Sequence, residues 1–251
     1  MPLRRARAIV LRTYRVGESD KIAVFYTVEH GKIRGMAKAA RRPRSRFGSS
    51  LEVGTEVDLV FFEKPSRELV SVDRCDIVRT RFSRLGEPVL ATTLGYLSDL
   101  VDALTPERDP NQRIYRLLRA TIGSLDEPQL AETRARYFEV WLLRLSGLFP
   151  LRRTCPSCGR ALRETGARYL TEEHRLECGD CLGRGLPLSR ETVDFLEAVV
   201  WRTPPGETLE PESDTVLSEL GVVSHRILQE HLDKELRSHR VFEDMLRRTK
   251  P

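Results

Sequence analysis

Four of the five cysteines fall in two matched hooks, Cys155-Pro-Ser-Cys158 and Cys178-Gly-Asp-Cys181, with 19 residues between Cys158 and Cys178. Two residues inside each hook let both sulfurs turn toward one metal, and two hooks at this separation have the spacing of a zinc ribbon. Four thiolates close a tetrahedral site and leave no position open to water. The reading is therefore one structural Zn2+ held by Cys155, Cys158, Cys178 and Cys181. A redox CxxC ordinarily stands alone beside a βαβ unit, unlike this pair. Gly159 and Gly179 suit the tight backbone of the hooks. Residues 168–177 read as a hairpin that carries the second hook back to the first. His174 falls at its expected tip and is read as solvated. Cys75, the remaining thiol, is read as a small buried residue of a strand.

A second constellation is cationic. In Lys32-Ile-Arg34-Gly-Met36-Ala-Lys38 the even positions carry the charges. Alternate side chains of a strand share a face, so Lys32, Arg34 and Lys38 should project together while Ile33 and Ala37 turn inward. The strand runs into Arg41, Arg42, Arg44 and Arg46, beside which Phe47 is expected to offer a stacking surface. A cationic strand leading into a basic loop is a track for a phosphate backbone. An edge strand protected by charge has a similar pattern. Dense aromatic interleaving is absent, so weak sequence preference is expected.

Several enzyme classes lack their signatures. The chain has no GxxxxGK phosphate loop, no GxGxxG, no HExxH and no GxSxG. Asp58 and Glu63-Lys64 do not form a carboxylate–carboxylate–lysine spacing that would hold magnesium. His225, His231 and His239 lie in the C-terminal helical run without a convincing cysteine or acid partner in sequence and are read as solvated helix positions. A non-enzymatic protein is expected.

The elements that position these residues change character along the chain. Residues 5–80 contain five short segments rich in Val, Ile, Phe and Thr, separated by turn signals at Gly17–Asp20, Glu29-His30-Gly31, residues 41–50 and Lys64-Pro65-Ser66. Five strands in so short a span suit a small closed barrel, an OB-fold or an SH3-like one. From Arg84 onward apolar residues recur three and four apart, over residues 88–104, 111–125 and 129–148. The last carries a broad stripe of Leu130, Tyr137, Phe138, Trp141, Leu142, Leu145 and Leu148, read as the core of a helical bundle and ended by Gly147 and Pro150. Periodicity returns from Arg190 to Trp201, breaks at Thr203-Pro204-Pro205-Gly206, and resumes from Val216 to Arg248. The expected fold class is α+β, with a five-stranded barrel at 1–82. A helical domain at 83–150 and 189–251 follows, with the four-cysteine element inserted at 151–188.

Charge separates the ends of the chain. Residues 1–50 hold 13 Lys and Arg against three acids, a surplus of ten in a chain whose net charge is +5. A basic block on a mildly acidic body is the footprint of a polyanion binder. No apolar run approaches the roughly 18 residues of a membrane span. The N-terminus lacks an uninterrupted apolar core before a cleavage site, and paired cysteines suit a reducing compartment with a metal. A cytoplasmic protein without membrane contact is expected.

On these residues the chain resembles the RecO family of bacterial recombination mediators over essentially its whole length. The resemblance rests on AIVLRTYRVGESDKIAVFYTVEHGKIRGMAKAARRPRSRFG, on LSGLFPLRRTCPSCG with CGDC, and on HRILQEHLDKELRSHRVFEDML. It implies an N-terminal OB-fold, a helical bundle and an inserted four-cysteine zinc element. It also implies binding of single- and double-stranded DNA, annealing of complementary strands without ATP, and partnership with RecR and single-strand-binding protein in loading RecA at gaps. The family's basic strand after the His-Gly turn maps onto Lys32, Arg34 and Lys38. Composition alone would equally permit an RNA-binding or ribosome-associated factor built from an OB-fold and a zinc ribbon.

Overall fold

The structure is a computed structural model that describes residues 2–63, 68–80, 86–149, 151–202, 213–232 and 235–249. The turn at Lys64-Pro65-Ser66, the break at Thr203–Gly206 and the helix end at Pro150 lie outside the described residues. By contacts the chain forms two units, Met1–Pro128 with Arg237–Pro251, and Gln129–Leu236. The helical segment expected at 83–150 is divided between them.

Five strands open the first unit: β1 (Leu3–Val16), β2 (Asp20–Thr27), β3 (Gly31–Ala37), β4 (Glu56–Phe62) and β5 (Val70–Arg79). They close into a barrel in the order β1-β2-β3-β5-β4, antiparallel except where Gly35 and Met36 of β3 meet Val70 and Ser71 of β5 in parallel. That order, with its single parallel closure, is the OB arrangement rather than the SH3-like one. Strand alternation fills the interior with Ala8, Val10, Phe25, Ile33, Leu59 and Val72. Gly35 allows the closure, because a Cβ there would stand 2.5 Å from the Val72 side chain. Cys75 is buried in the same core, as read from sequence.

Three helices belong to this unit: α1 (Pro88–Leu104), α2 (Gln112–Ser124) and α7 (Arg237–Thr249). Asn111 caps α2 by accepting from the Arg113 and Ile114 N–H groups. Tyr96 of α1 stacks on Phe242 of α7 at 5.0 Å and meets His239 edge-on at 5.3 Å. His239 is thus buried, not solvated as its sequence setting suggested.

The second unit contains α3 (Ala131–Leu145), a short α4 (Leu162–Thr165), α5 (Arg190–Glu197) and α6 (Asp214–His231). The α3 stripe buries Tyr137, Phe138, Trp141 and Leu142, and Gly147 follows the helix at φ +73°. Beside that apolar core Arg136 pairs with Glu139 at 2.8 Å, both almost fully buried. Gly221 of α6 makes room for the guanidinium, since a Cβ would stand 2.8 Å from it. The single helical run expected from Val216 to Arg248 is two helices: Leu232 leaves α6 in extended conformation, at φ −101° and ψ 132°. A three-stranded sheet completes the unit, β6 (Ala167–Leu170) with β7 (Arg175–Glu177) and β8 (Leu186–Leu188), in the order β7-β6-β8. Pairing of β6 with β7 is the expected hairpin, and β8 extends it.

Candidate nucleic-acid interface and metal centre

Alternation on β3 holds. Ile33 and Ala37 enter the barrel core, while Arg34 and Lys38 are exposed on the outside. Lys32 points outward too, but it is buried under α1 and the segment that follows it. Its ammonium lies 3.2 Å from a carboxylate oxygen of Asp102 and also donates to the Asp102 carbonyl. Arg34 pairs with Glu107 at 2.9 Å. On β1, across β2 from β3, Arg12 pairs with Asp99. The Lys32 carbonyl accepts the Arg108 N–H at 2.9 Å, which fixes the covering segment against β3. Three cations of the β1–β3 outer face thus each meet a carboxylate from α1 or from the chain just after it. The sequence patterning missed this cover, because the pairs join residues 70 or more positions apart.

Beyond Lys38 the basic loop is differently placed. Lys38, Arg41, Arg42, Arg44 and Arg46 are all exposed. Lys38, Arg42 and Arg44 form no ion pair among the described residues. Arg46 packs its guanidinium 4.9 Å from the Phe47 ring centroid and donates to the Val72 carbonyl. Phe47 itself is buried in the barrel core, so the stacking surface expected there is not available. An aromatic after a run of polar residues is here a plug that anchors the loop.

The loop is pinned at its start. Asp20, at the turn from β1 to β2, accepts the Ala39 N–H at 2.8 Å, and the Ser19 carbonyl accepts the Arg41 N–H at 2.9 Å. Ala39 sits at φ +57°, a left-handed conformation that costs a non-glycine residue energy and needs such support. The Ala39 N–H, then the Ser19 hydroxyl, hold the Asp20 carboxyl below its usual range, with Lys38 and Arg42 adding to the effect. The Glu18-Ser19-Asp20 turn therefore positions the cations that follow β3. Burial pushes the Cys75 thiol up to about 11, in keeping with an inert core residue.

The four predicted metal ligands converge in the second unit. One sulfur from each of Cys155, Cys158, Cys178 and Cys181 lies within 4.8 Å of the others. The Cys158 and Cys178 sulfurs are 3.7 Å apart. Bonds of about 2.3 Å in a tetrahedral site give sulfur separations of roughly 3.8 Å, so the cluster fits a metal of that kind. Cys155 and Cys178 are buried while Cys158 and Cys181 are exposed. The first hook is the turn of a small hairpin, in which the Cys155 N–H donates to the Arg160 carbonyl and Thr154 pairs with Ala161. His174 is exposed at the hairpin tip, with Nδ1 3.2 Å from the Tyr169 hydroxyl, and takes no part in the cluster.

Sequence spacing gave no sign of Arg160. Its guanidinium lies 3.5 Å from the Cys158 sulfur and 3.8 Å from that of Cys178, one in each hook. Asp180 holds it at 2.7 Å. Hydrogen bonds from Arg160 pull the Cys158 thiol down to about 6, toward the thiolate a metal requires.

Comparison with known proteins agrees with this architecture. Two family models, described as Recombination protein O N terminal and Recombination protein O C terminal, match residues 1–81 and 87–240. A DNA repair protein RecO of Koribacter versatilis is 37% identical over 160 residues, 64% of this chain and 65% of that protein. One from Geobacter sulfurreducens is 33% identical over 237 residues, covering 93% and 95% of the two chains. Another, from Anaeromyxobacter dehalogenans strain 2CP-C, is 29% identical over 244 residues, 94% of each. Matches to both halves, on a barrel, helices and a four-cysteine cluster, place the chain in one family: it belongs to the RecO family of DNA repair proteins.

Proposed function

We propose that the protein is a DNA-binding recombination mediator. In this reading it binds single- and double-stranded DNA, anneals complementary strands without ATP, and acts with RecR and single-strand-binding protein to load RecA at single-stranded gaps. It works by binding and not by bond chemistry, in the cytoplasm at the nucleoid. Residues 1–82 are the DNA-binding domain. The track along it is the exposed Lys38 with Arg41, Arg42, Arg44 and Arg46, joined by the exposed Arg34, while the buried Lys32 braces the strand beneath them. The cysteine element at 151–188 holds one Zn2+ through Cys155, Cys158, Cys178 and Cys181, and its role is to fold the second unit.

One observation carries the reading: a cluster of exposed cations on a loop that Asp20 and Ser19 hold in place. Preordering reduces the conformational entropy lost when the loop grips a strand. Lone guanidinium and ammonium groups then exchange counterions for phosphates. The names of the relatives support the DNA assignment, and the absence of a nucleotide-binding motif fits annealing that needs no ATP.

The test is annealing of labelled complementary DNA oligonucleotides with and without ATP, alongside RNA oligonucleotides of the same sequence. Nucleotide-independent DNA annealing supports the proposal. Binding confined to RNA would overturn it in favour of an RNA-associated factor. Complex formation with RecR is read by light scattering of the mixed proteins at micromolar concentration.

A further inference from the structure

The basic surplus counted from the first 50 residues overlooks helix α2. Its 13 residues, Gln112–Ser124, contain three arginines and no acid. Arg113, Arg116 and Arg119 are spaced three apart, so they form one stripe about 9 Å long on the side away from buried Ile114, Leu117 and Leu118. Like charges at this spacing repel, which a helix selected only for stability would avoid. Arg113 and Arg116 are exposed and form no ion pair among the described residues.

The stripe ends on a second group of arginines. Glu56, at the start of β4, is buried, and its carboxylate lies 2.8 Å from Arg119, 3.5 Å from Arg79 and 3.8 Å from Arg7. Tyr115 adds a hydroxyl at 3.2 Å. Arg7 also pairs with Asp58 at 2.9 Å, so two carboxylates face three guanidiniums, each of which remains at least a third exposed. Glu56 thus gathers arginines from β1, β5 and α2 into one cationic surface. This surface lies over β4 and β5, on elements other than the loop that follows β3.

We propose that this surface, the α2 stripe continued by Arg7 and Arg79, is a second phosphate-binding site that takes a nucleic-acid strand while the 38–46 loop holds another. The inference rests on the DNA-handling function proposed above and assigns a place to the second strand that annealing requires. Arginines in a fixed fork geometry suit phosphate oxygens, and an unreactive helix face gives no base selectivity. Strands of any sequence should therefore be held.

The experiment uses the full chain with two oligothymidine strands, one carrying a donor dye and one an acceptor, so that base pairing cannot join them. Mass photometry confirms that the bridged species contains one protein. Arg113→Gln with Arg116→Gln removes the two cations that brace nothing and leaves Arg119 on Glu56. The double variant should keep its thermal midpoint, bind a first strand within twofold of wild type, and lose energy transfer between strands by at least fivefold. Substitution of Arg42 and Arg44 in the loop should instead weaken first-strand binding. Bridging by the double variant at the wild-type level, with an unchanged salt slope, would overturn the α2 site. A wild type that binds no strand would overturn the functional reading beneath it, and the two failures are distinct.

Discussion

Lys32 and Asp102 are 70 residues apart in sequence, and their charges meet at 3.2 Å with side chains only 7% and 14% exposed. An ammonium so enclosed holds α1 to the barrel, where strand alternation alone would have set it against DNA. Breaking such a pair from one side leaves a buried charge without compensation, at a cost of about 3–5 kcal/mol. Lys32→Ala should therefore lower the unfolding free energy by several kcal/mol, measured by urea denaturation. Lys32→Met with Asp102→Leu should recover most of it, because the second change removes the orphaned carboxylate. A fully additive double variant would show that the two residues are uncoupled. Charge removal at Lys32, Arg34 and Lys38 together thus tests folding as well as binding.

On the proposed DNA track, Glu107 would compete with the strand for Arg34. It lies 2.9 Å from Arg34 and 3.8 Å from Lys32, and its own side chain is 45% exposed. A half-exposed pair contributes only about 0.2–1 kcal/mol, so Glu107→Gln should leave stability almost unchanged. It should free one cation, raise the magnitude of the single-strand log–log salt slope by about 0.7, and tighten binding at low salt. Fluorescence anisotropy across a salt series measures both. Weaker binding would mean that Glu107 orders the face instead of competing for it.

Asp20 separates charge from position. It stands beside Lys38 and Arg42, so on electrostatics alone its removal should strengthen DNA binding. As the acceptor for Ala39 N–H it also fixes the loop. Asp20→Asn keeps an acceptor oxygen and loses the charge, while Asp20→Ala loses both. Binding should be equal or tighter in the first and several-fold weaker in the second. Because the folded carboxyl titrates below its unfolded value, its contribution is present above the ordinary carboxylate range and fades as pH falls through the lowered one. Hydrogen exchange at residues 39–47 should accelerate in Asp20→Ala. Equal behaviour of the two variants would reduce Asp20 to a charge.

What the sequence made legible was periodic or locally spaced. Strand alternation placed Ile33 and Ala37 inside the barrel, and the two hooks identified the four cysteines that converge. What it concealed depends on distant partners. The same alternation put Lys32 outside correctly, but only tertiary packing brings Asp102 over it. Phe47 looked like a surface aromatic because its neighbours are polar, yet the loop folds back and the ring fills the barrel. His239 lies on a helix rich in charge, and its burial follows from Tyr96, more than 140 positions away. The α6–α7 break at Leu232 carries no glycine or proline, so nothing local announced it.

The cysteine cluster makes a further prediction about metal. Purified, reduced protein should carry one equivalent of zinc, and Cys178→Ser should lose it and lower the melting temperature of the second unit. Structural zinc in small sites is worth about 10–16 kcal/mol, so removal is not a subtle change. Arg160 should slow metal loss, because it donates to one sulfur in each hook and offsets the charge of four thiolates. Arg160→Ala should release zinc to a chromogenic chelator about 10-fold faster, with Arg160→Lys between it and wild type. Arg163→Ala, in the adjoining α4, serves as the control. Identical release from all four proteins would remove Arg160 from the site.

The exposed loop gives the last prediction. Lys38, Arg42 and Arg44 carry no ion pair among the described residues, and Arg41 spends part of its guanidinium on the Gly17 carbonyl. Arg46 is committed further, to the Val72 carbonyl and the face of Phe47. The order of importance for single-stranded DNA should therefore be Lys38, Arg42 and Arg44 first, Arg41 next, and Arg46 last as a direct contact. Each of the first three, changed to Gln, should lower the log–log salt slope by about 0.7, and affinity should fall to a similar degree on every sequence. Pinning by Asp20 makes these losses larger than a floppy loop would give, since little ordering entropy remains to offset each contact. Arg46→Gln should act on stability instead, through the plug it forms with Phe47. Anisotropy titrations on oligothymidine and a mixed-sequence strand, paired with thermal unfolding, separate the two effects. If removing Lys38, Arg42 and Arg44 together leaves the slope at its wild-type value, the strand does not run along this loop.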